Sequence, residues 1–190
     1  SIASSVSAVC KDGATPTITF TGSNATAPYG FTYTINGVSQ TISSTLGTSV
    51  ATVTVPTNVS GSFVYALTGV SESSGTACAN TASGTATVTV NPLPTATITN
   101  GASAAACAGQ TVTLTASTGA NTPTYQWLLN NTIINSATYS STGSSLIAPN
   151  SGDYSIKITD GIGCSNTSSV TTVTINSTPA TPSIINNSTT

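Results

Sequence analysis

Four carboxylates (Asp12, Glu72, Asp153 and Asp160), two amines (Lys11 and Lys157) and four thiols (Cys10, Cys78, Cys107 and Cys164) carry the acid–base, nucleophilic or metal-binding potential of this 190-residue chain. No His is present. Carboxylates that cleave a glycosidic bond face each other about 5–10 Å apart across a cleft. Asp153 and Asp160 bracket one predicted strand and stand about 23 Å apart at 3.3 Å per residue, so they are not such a pair. Ser and Thr abound, but there is no imidazole to activate them and neither lysine lies in an S-x-x-K context. Calcium prefers several acids at close spacing, as in D-x-D-x-D. Here the acids are isolated, with Asp12 and Asp160 the candidates for a weak site, and "TDGIG" gives Asp160 a turn role in which the side chain bonds its own backbone. The pattern predicts no enzyme, no resident metal and no cofactor.

The thiols read differently. A zinc site needs close pairs such as C-x2-C, usually with His; these four are far apart and His is absent. Val9, the residue before Cys10, is too large for a usual lipid-attachment site. Structural disulfides are the expectation, and with them an oxidising compartment.

Composition narrows the partners. Net charge is −2 and charged residues make up 3% of the chain, against about 25% in ordinary globular proteins. A phosphate-binding face needs clustered Lys and Arg, and so does a polybasic membrane surface; two lysines supply neither. No apolar run approaches the ~20 residues of a membrane-spanning helix. Hydrophobic residues still account for 37% of the chain and are evenly spaced, which separates it from disordered sequences. A surface of Ser, Thr and Asn should make solubility nearly independent of salt and pH.

The elements that position these residues have a period of two. In "TVTLTAS", Val112, Leu114 and Ala116 share one face; in "YSIKIT", Tyr154, Ile156 and Ile158 do; in "SFVYAL", Phe63, Tyr65 and Leu67 do. Alternation with Thr and Ser outward describes strands buried on one face, and many such strands separated by turns describe a sandwich. The order recurs. Cys10, "TPTITF", "YGFTYTING", "SVATVTV", "GSFVYALTGV", Cys78 and "GTATVTV" match Cys107, "QTVTLTA", "TYQWLLNN", "SSLIA", "GDYSIKITD", Cys164 and "SSVTTVTI". The joint "TVTVNPLPTATI" is echoed by "TVTINSTPATPSI". We therefore expect an all-β chain of tandem immunoglobulin-like sandwiches: residues 1–91, residues 92–176, and residues 177–190 as a linker and the start of a third repeat. Four cysteines permit three pairings. Cys10 with Cys78 and Cys107 with Cys164 would place one intradomain disulfide in each sandwich, tying loops at one domain end and contributing about 4 kcal/mol on the chain-entropy model.

"CAGQTVTLTAS", "TYQWLLNN" and "NSGDYSIKITDGIGCSNTSSVTTVTIN" resemble the Ig-like/PKD-like repeats of giant cell-surface proteins in Bacteroidota. "APYGFTYTINGVSQTIS", "GSFVYALTGVSESSGTAC" and "TVTVNPLPTATI" resemble the companion repeat of the same proteins. Such repeats occur in gliding-motility adhesins of the SprB type and other cargo of type IX secretion. The resemblance implies an extracellular filament that is anchored at one end and touches substratum or polysaccharide elsewhere.

Individual residues follow. Trp127, in phase with Tyr125 and Leu129, takes the core position of the third strand. Tyr154 matches a tyrosine corner, with Phe63 in the corresponding place of the first half, where the ring alone serves the core. Tyr139 in "NSATYSS" and Tyr29 in "APYGF" are the aromatics left over as candidate ligand contacts. Three functions compete: a structural stalk of an extracellular, secreted cell-surface adhesin, with neighbouring repeats as partners; a carbohydrate- or surface-binding module; and a self-assembling filament subunit whose edge strands pair between chains. For the stalk, the Pro-containing joints limit bending and predict a rod of about 40 Å per module.

Overall fold

The computed structural model describes residues 1–72, 78–134 and 141–183. The chain divides into two compact units, Ser1–Leu93 and Pro94–Thr190. All regular elements among the described residues are strands, and each unit is an immunoglobulin-like sandwich.

In the first unit the strands are β1 (Ile2–Ser4), β2 (Ala8–Cys10), β3 (Thr17–Thr21), β4 (Tyr29–Ile35), β5 (Val38–Ser43), β6 (Val50–Thr54), β7 (Gly61–Glu72) and β8 (Ala79–Asn91). One sheet has the order β1-β3-β6 and the other β2-β8-β7-β4-β5. Alternation decides which side of each strand is buried. Ile18 and Phe20 of β3 and Phe31 and Tyr33 of β4 face inward, and Phe20 lies 4.7 Å from Tyr33, ring centre to ring centre. On β7 the fully buried aromatic is Tyr65, while Phe63, expected in the core, is half-buried and packs on its edge. Between β4 and β5, Asn36 and Gly37 both take positive φ, 47° and 87°. That backbone matches the twist of a two-residue hairpin and favours Asn-Gly.

The second unit contains β9 (Thr97–Ile98), β10 (Ser103–Cys107), β11 (Val112–Ser117), β12 (Thr124–Leu129), β13 (Thr132–Ile133), β14 (Ser141–Thr142), β15 (Ser145–Ala148), β16 (Gly152–Thr159), β17 (Ser165–Thr167) and β18 (Thr171–Asn176). Its sheets run β14-β15-β11-β9 and β10-β18-β16-β12-β13, with β17 also on β16. The expected faces of β11 and β16 are buried: Val112, Leu114 and Ala116 on one, Tyr154, Ile156 and Ile158 on the other. Ser155 breaks the alternation and is buried as well.

The two units share one feature that fixes where their cysteines lie. A short early strand pairs in parallel with the last strand: Cys10 lies opposite Asn91 at the end of β2 and β8, and Cys107 lies opposite Asn176 at the end of β10 and β18. The turns that follow are also alike. Lys11 and Ala108 donate to the Asn91 and Asn176 carbonyls, and Gly13 and Gln110 donate back to Cys10 and Cys107.

Candidate functional site

The cysteines do not pair as the sequence suggested. Cys78 and Cys107 are free thiols, both exposed, whereas Cys10 and Cys164 are disulfide-bonded. The register explains why intradomain bridges fail. Cys10 is level with Asn91 at the C-terminal end of β8, whereas Cys78 immediately precedes Ala79 at its N-terminal end. Twelve residue steps of strand separate those levels, about 40 Å at 3.3 Å each. In the second unit Cys107 is level with Asn176, three residues past the Gly152–Val173 pair. Cys164 precedes Ser165, which is level with Thr159 at the far end of β16. That separation is roughly ten residue steps, or about 33 Å. A disulfide requires Cα atoms within ~7 Å. The two cysteines of each unit thus stand at opposite ends of its sheet, not at one end.

Which end is which also follows within each unit. The amino group of Ser1 bonds the Thr21 carbonyl at 2.7 Å. Ser1 and Cys78 line the same cavity of about 440 Å³, with Tyr29, Phe31, Leu67 and Glu72 among its walls. In the second unit Asn166, two residues past Cys164, donates its amide to the Pro94 carbonyl at 3.0 Å. Cys78 and Cys164 therefore mark the end where the chain enters a unit, and Cys10 and Cys107 the end where it leaves.

Cys164 is held by Asp160. The Asp160 carboxylate accepts the Ile162 and Cys164 N–H groups at 3.1 and 2.8 Å, and the Asp160 N–H donates to the Cys164 carbonyl at 2.9 Å. This is local Asx bonding, and it aims two N–H dipoles at the oxygen a cation would need. Asp12, the other weak calcium candidate, is exposed beside Lys11 at 3.8 Å, a surface pair of little energetic weight. Asp153 accepts the Thr172 hydroxyl at 2.8 Å. Among the described residues no three His, Cys, Asp or Glu side chains cluster as a metal site would need.

The aromatics sort as follows. Trp127 is buried, and its indole N–H donates to the Gly143 carbonyl at 3.0 Å. Tyr154 is fully buried, and its hydroxyl donates to the Asn150 carbonyl at 2.9 Å, four residues upstream, in corner geometry. Tyr29, a candidate ligand contact beside a loop, opens β4 as the strand "YGFTYTING" predicts, and is 3% exposed. Its hydroxyl donates to the Ala25 carbonyl, and its backbone N–H is held by Ser44 Oγ at 2.8 Å. The ring forms part of the wall of the cavity that Cys78 also lines and does not stand free on the surface. Tyr139 lies outside the described residues.

Ser44 and Ser168 are among the buried hydroxyls that the sequence does not single out. Ser44 bonds Tyr29 and the Thr48 carbonyl, and Ser168 accepts the Ile156 N–H while donating to the Ser169 carbonyl. In a chain so rich in Ser and Thr, nothing local distinguishes them.

No family model matches the chain, and no curated protein does. Solved structures similar to it include the titin I9-I11 tandem, at 17% identity over 93% of this chain with a TM-score of 0.37. A three-Ig structure of titin domains I67-I69 is similar at 17% identity over 90%, TM-score 0.48. A structure described as bearing on host cell surface retention of a 1.5-MDa bacterial ice-binding adhesin is similar at 16% identity over 93%, TM-score 0.40. The chain spans 66%, 62% and 64% of these three chains.

Proposed function

We propose that the two sandwiches are load-bearing stalk modules of a long extracellular, cell-surface adhesin or filament, serving attachment or gliding motility. The observation that carries this reading is the parallel pairing of β2 with β8 and of β10 with β18. In a parallel pair the chain enters beside the start of the last strand and leaves from that strand's far end. Tension between the two ends of a module therefore slides the ladder along its length. Its hydrogen bonds resist together, whereas a hairpin pulled open yields one bond at a time. The disulfide-bonded state of Cys10 and Cys164 supports an oxidising location, and the resemblance to giant surface repeats supplies the anchored-filament context. Antibodies raised against the chain should label intact cells of the source organism without permeabilisation. Labelling that appears only after permeabilisation would overturn the surface assignment.

A further inference from the structure

The four cysteines fall into two positional classes. Cys10 and Cys107 end the strand that runs parallel to the last strand, beside the chain's exit from its module. Cys78 and Cys164 sit in the connections that follow the long strands β7 and β16, at the end where the chain enters. The disulfide-bonded residues are one of each class, the exit cysteine Cys10 and the entrance cysteine Cys164. The free thiols are the complementary two, the entrance cysteine Cys78 and the exit cysteine Cys107, both exposed. Each free thiol thus stands at a position whose counterpart in the other module is bonded. Within one module the two classes are about 33–40 Å apart along the strands, too far to bridge.

We propose that Cys107 and Cys78 are head-to-tail linkage sites: the exit thiol of one copy forms a disulfide with the entrance thiol of the next module of this type. The partner is a second copy of the same kind of module, presenting its opposite end. The inference deepens the stalk reading by naming what each free thiol binds, and it rests on that reading only for modules standing in series. The chemistry balances with a disulfide oxidant such as oxidised glutathione. The Cys107 thiolate attacks the oxidant, forming a mixed disulfide and releasing one reduced thiol. The Cys78 thiolate of the second copy then displaces the other. Overall two S–H bonds and one S–S bond are exchanged for one protein S–S bond and two glutathione thiols, the oxidant taking up two electrons and two protons. The end-to-end contact is heterologous, so with no rotation that closes a ring it propagates as an open chain.

The test uses the 190-residue chain incubated at high concentration with oxidised glutathione, followed by non-reducing electrophoresis and peptide mapping. A ladder of linear oligomers is expected, with Cys107–Cys78 as its cross-link. Cys78→Ser and Cys107→Ser should each abolish the ladder, and an equimolar mixture of the two variants should give heterodimer and nothing larger. Predominant Cys78–Cys78 or Cys107–Cys107 links, an intramolecular Cys78–Cys107 link, or thiols that end only as glutathione adducts would each overturn the proposal. None of those results would alter surface labelling of cells, so the linkage and the stalk reading fail separately.

Discussion

Gly22→Ala tests whether Tyr29 is a core residue, as its packing requires, or an aromatic displayed for a ligand. Gly22 does not need glycine for its backbone angle; it needs it for space. A Cβ there would fall 2.5 Å from Tyr29 Cγ and 2.7 Å from Cε1, against the body of the ring. The ring cannot swing away cheaply, because it is buried, its hydroxyl is tied to Ala25 and its backbone to Ser44. Overpacking of this kind costs about 1–3 kcal/mol, and losing the hydroxyl's bond adds about 1 kcal/mol. A total near 2–4 kcal/mol should lower the urea midpoint of the first module with little change in slope. In a Tyr29→Ala background the ring that the new Cβ meets is gone, so the two changes should be non-additive by at least about 1 kcal/mol. A loss below about 0.5 kcal/mol, or an equal loss in both backgrounds, would refute the packing argument.

Three further outcomes are expected. Tyr154→Phe keeps the ring but removes the donor to the Asn150 carbonyl; it should cost about 1 kcal/mol in chemical denaturation of the second module. Leu114→Ala, at a fully buried position, should cost about 2–5 kcal/mol by the same assay and leave the first module's transition unmoved. Burial raises the pKa of Tyr33 and of Tyr65 above 10.0, the latter also through Tyr33. Both rings are protonated in the folded and unfolded states below that value, so their contribution is fully present there. It is lost as pH rises above about 10 through the folded pKa values. The first module's denaturation midpoint should fall between pH 9 and 11, and Tyr33→Phe with Tyr65→Phe should flatten that dependence.

What the sequence reveals and conceals has a physical pattern. Strands that bury one face announce themselves, as Val112-Thr-Leu114-Thr-Ala116 does, because the pleat alternates side chains and the solvent selects Thr outside. Strands such as Ala8–Cys10 and Ser103–Cys107 are short and built of small residues. They carry no period, and their identity comes from the last strand they lie against. Missing them inverted the disulfide expectation, since their parallel course carries Cys10 and Cys107 to the end opposite Cys78 and Cys164. Tyr29 misled for a related reason. As the first residue of its strand it counts as an aromatic left over from the core, but its ring is captured by contacts with Gly22, Ala25 and Ser44, which lie up to fifteen residues away. The Asn36-Gly37 dipeptide carries a hairpin signal of its own, yet the strand it opens, Val38–Ser43, is missing from the order of elements expected from the sequence.

The central claim, that each module carries tension as shear along a parallel ladder, is tested most directly by single-molecule stretching of the reduced chain. Pulled from its termini it should give two separate unfolding events, each releasing about 30 nm of chain for roughly 85–90 residues at ~3.6 Å per residue. The force should be at least about twice that needed when the same modules are pulled through handles that peel β8 or β18 sideways. Equal forces in the two pulling directions, or a gradual extension without two discrete events, would contradict it.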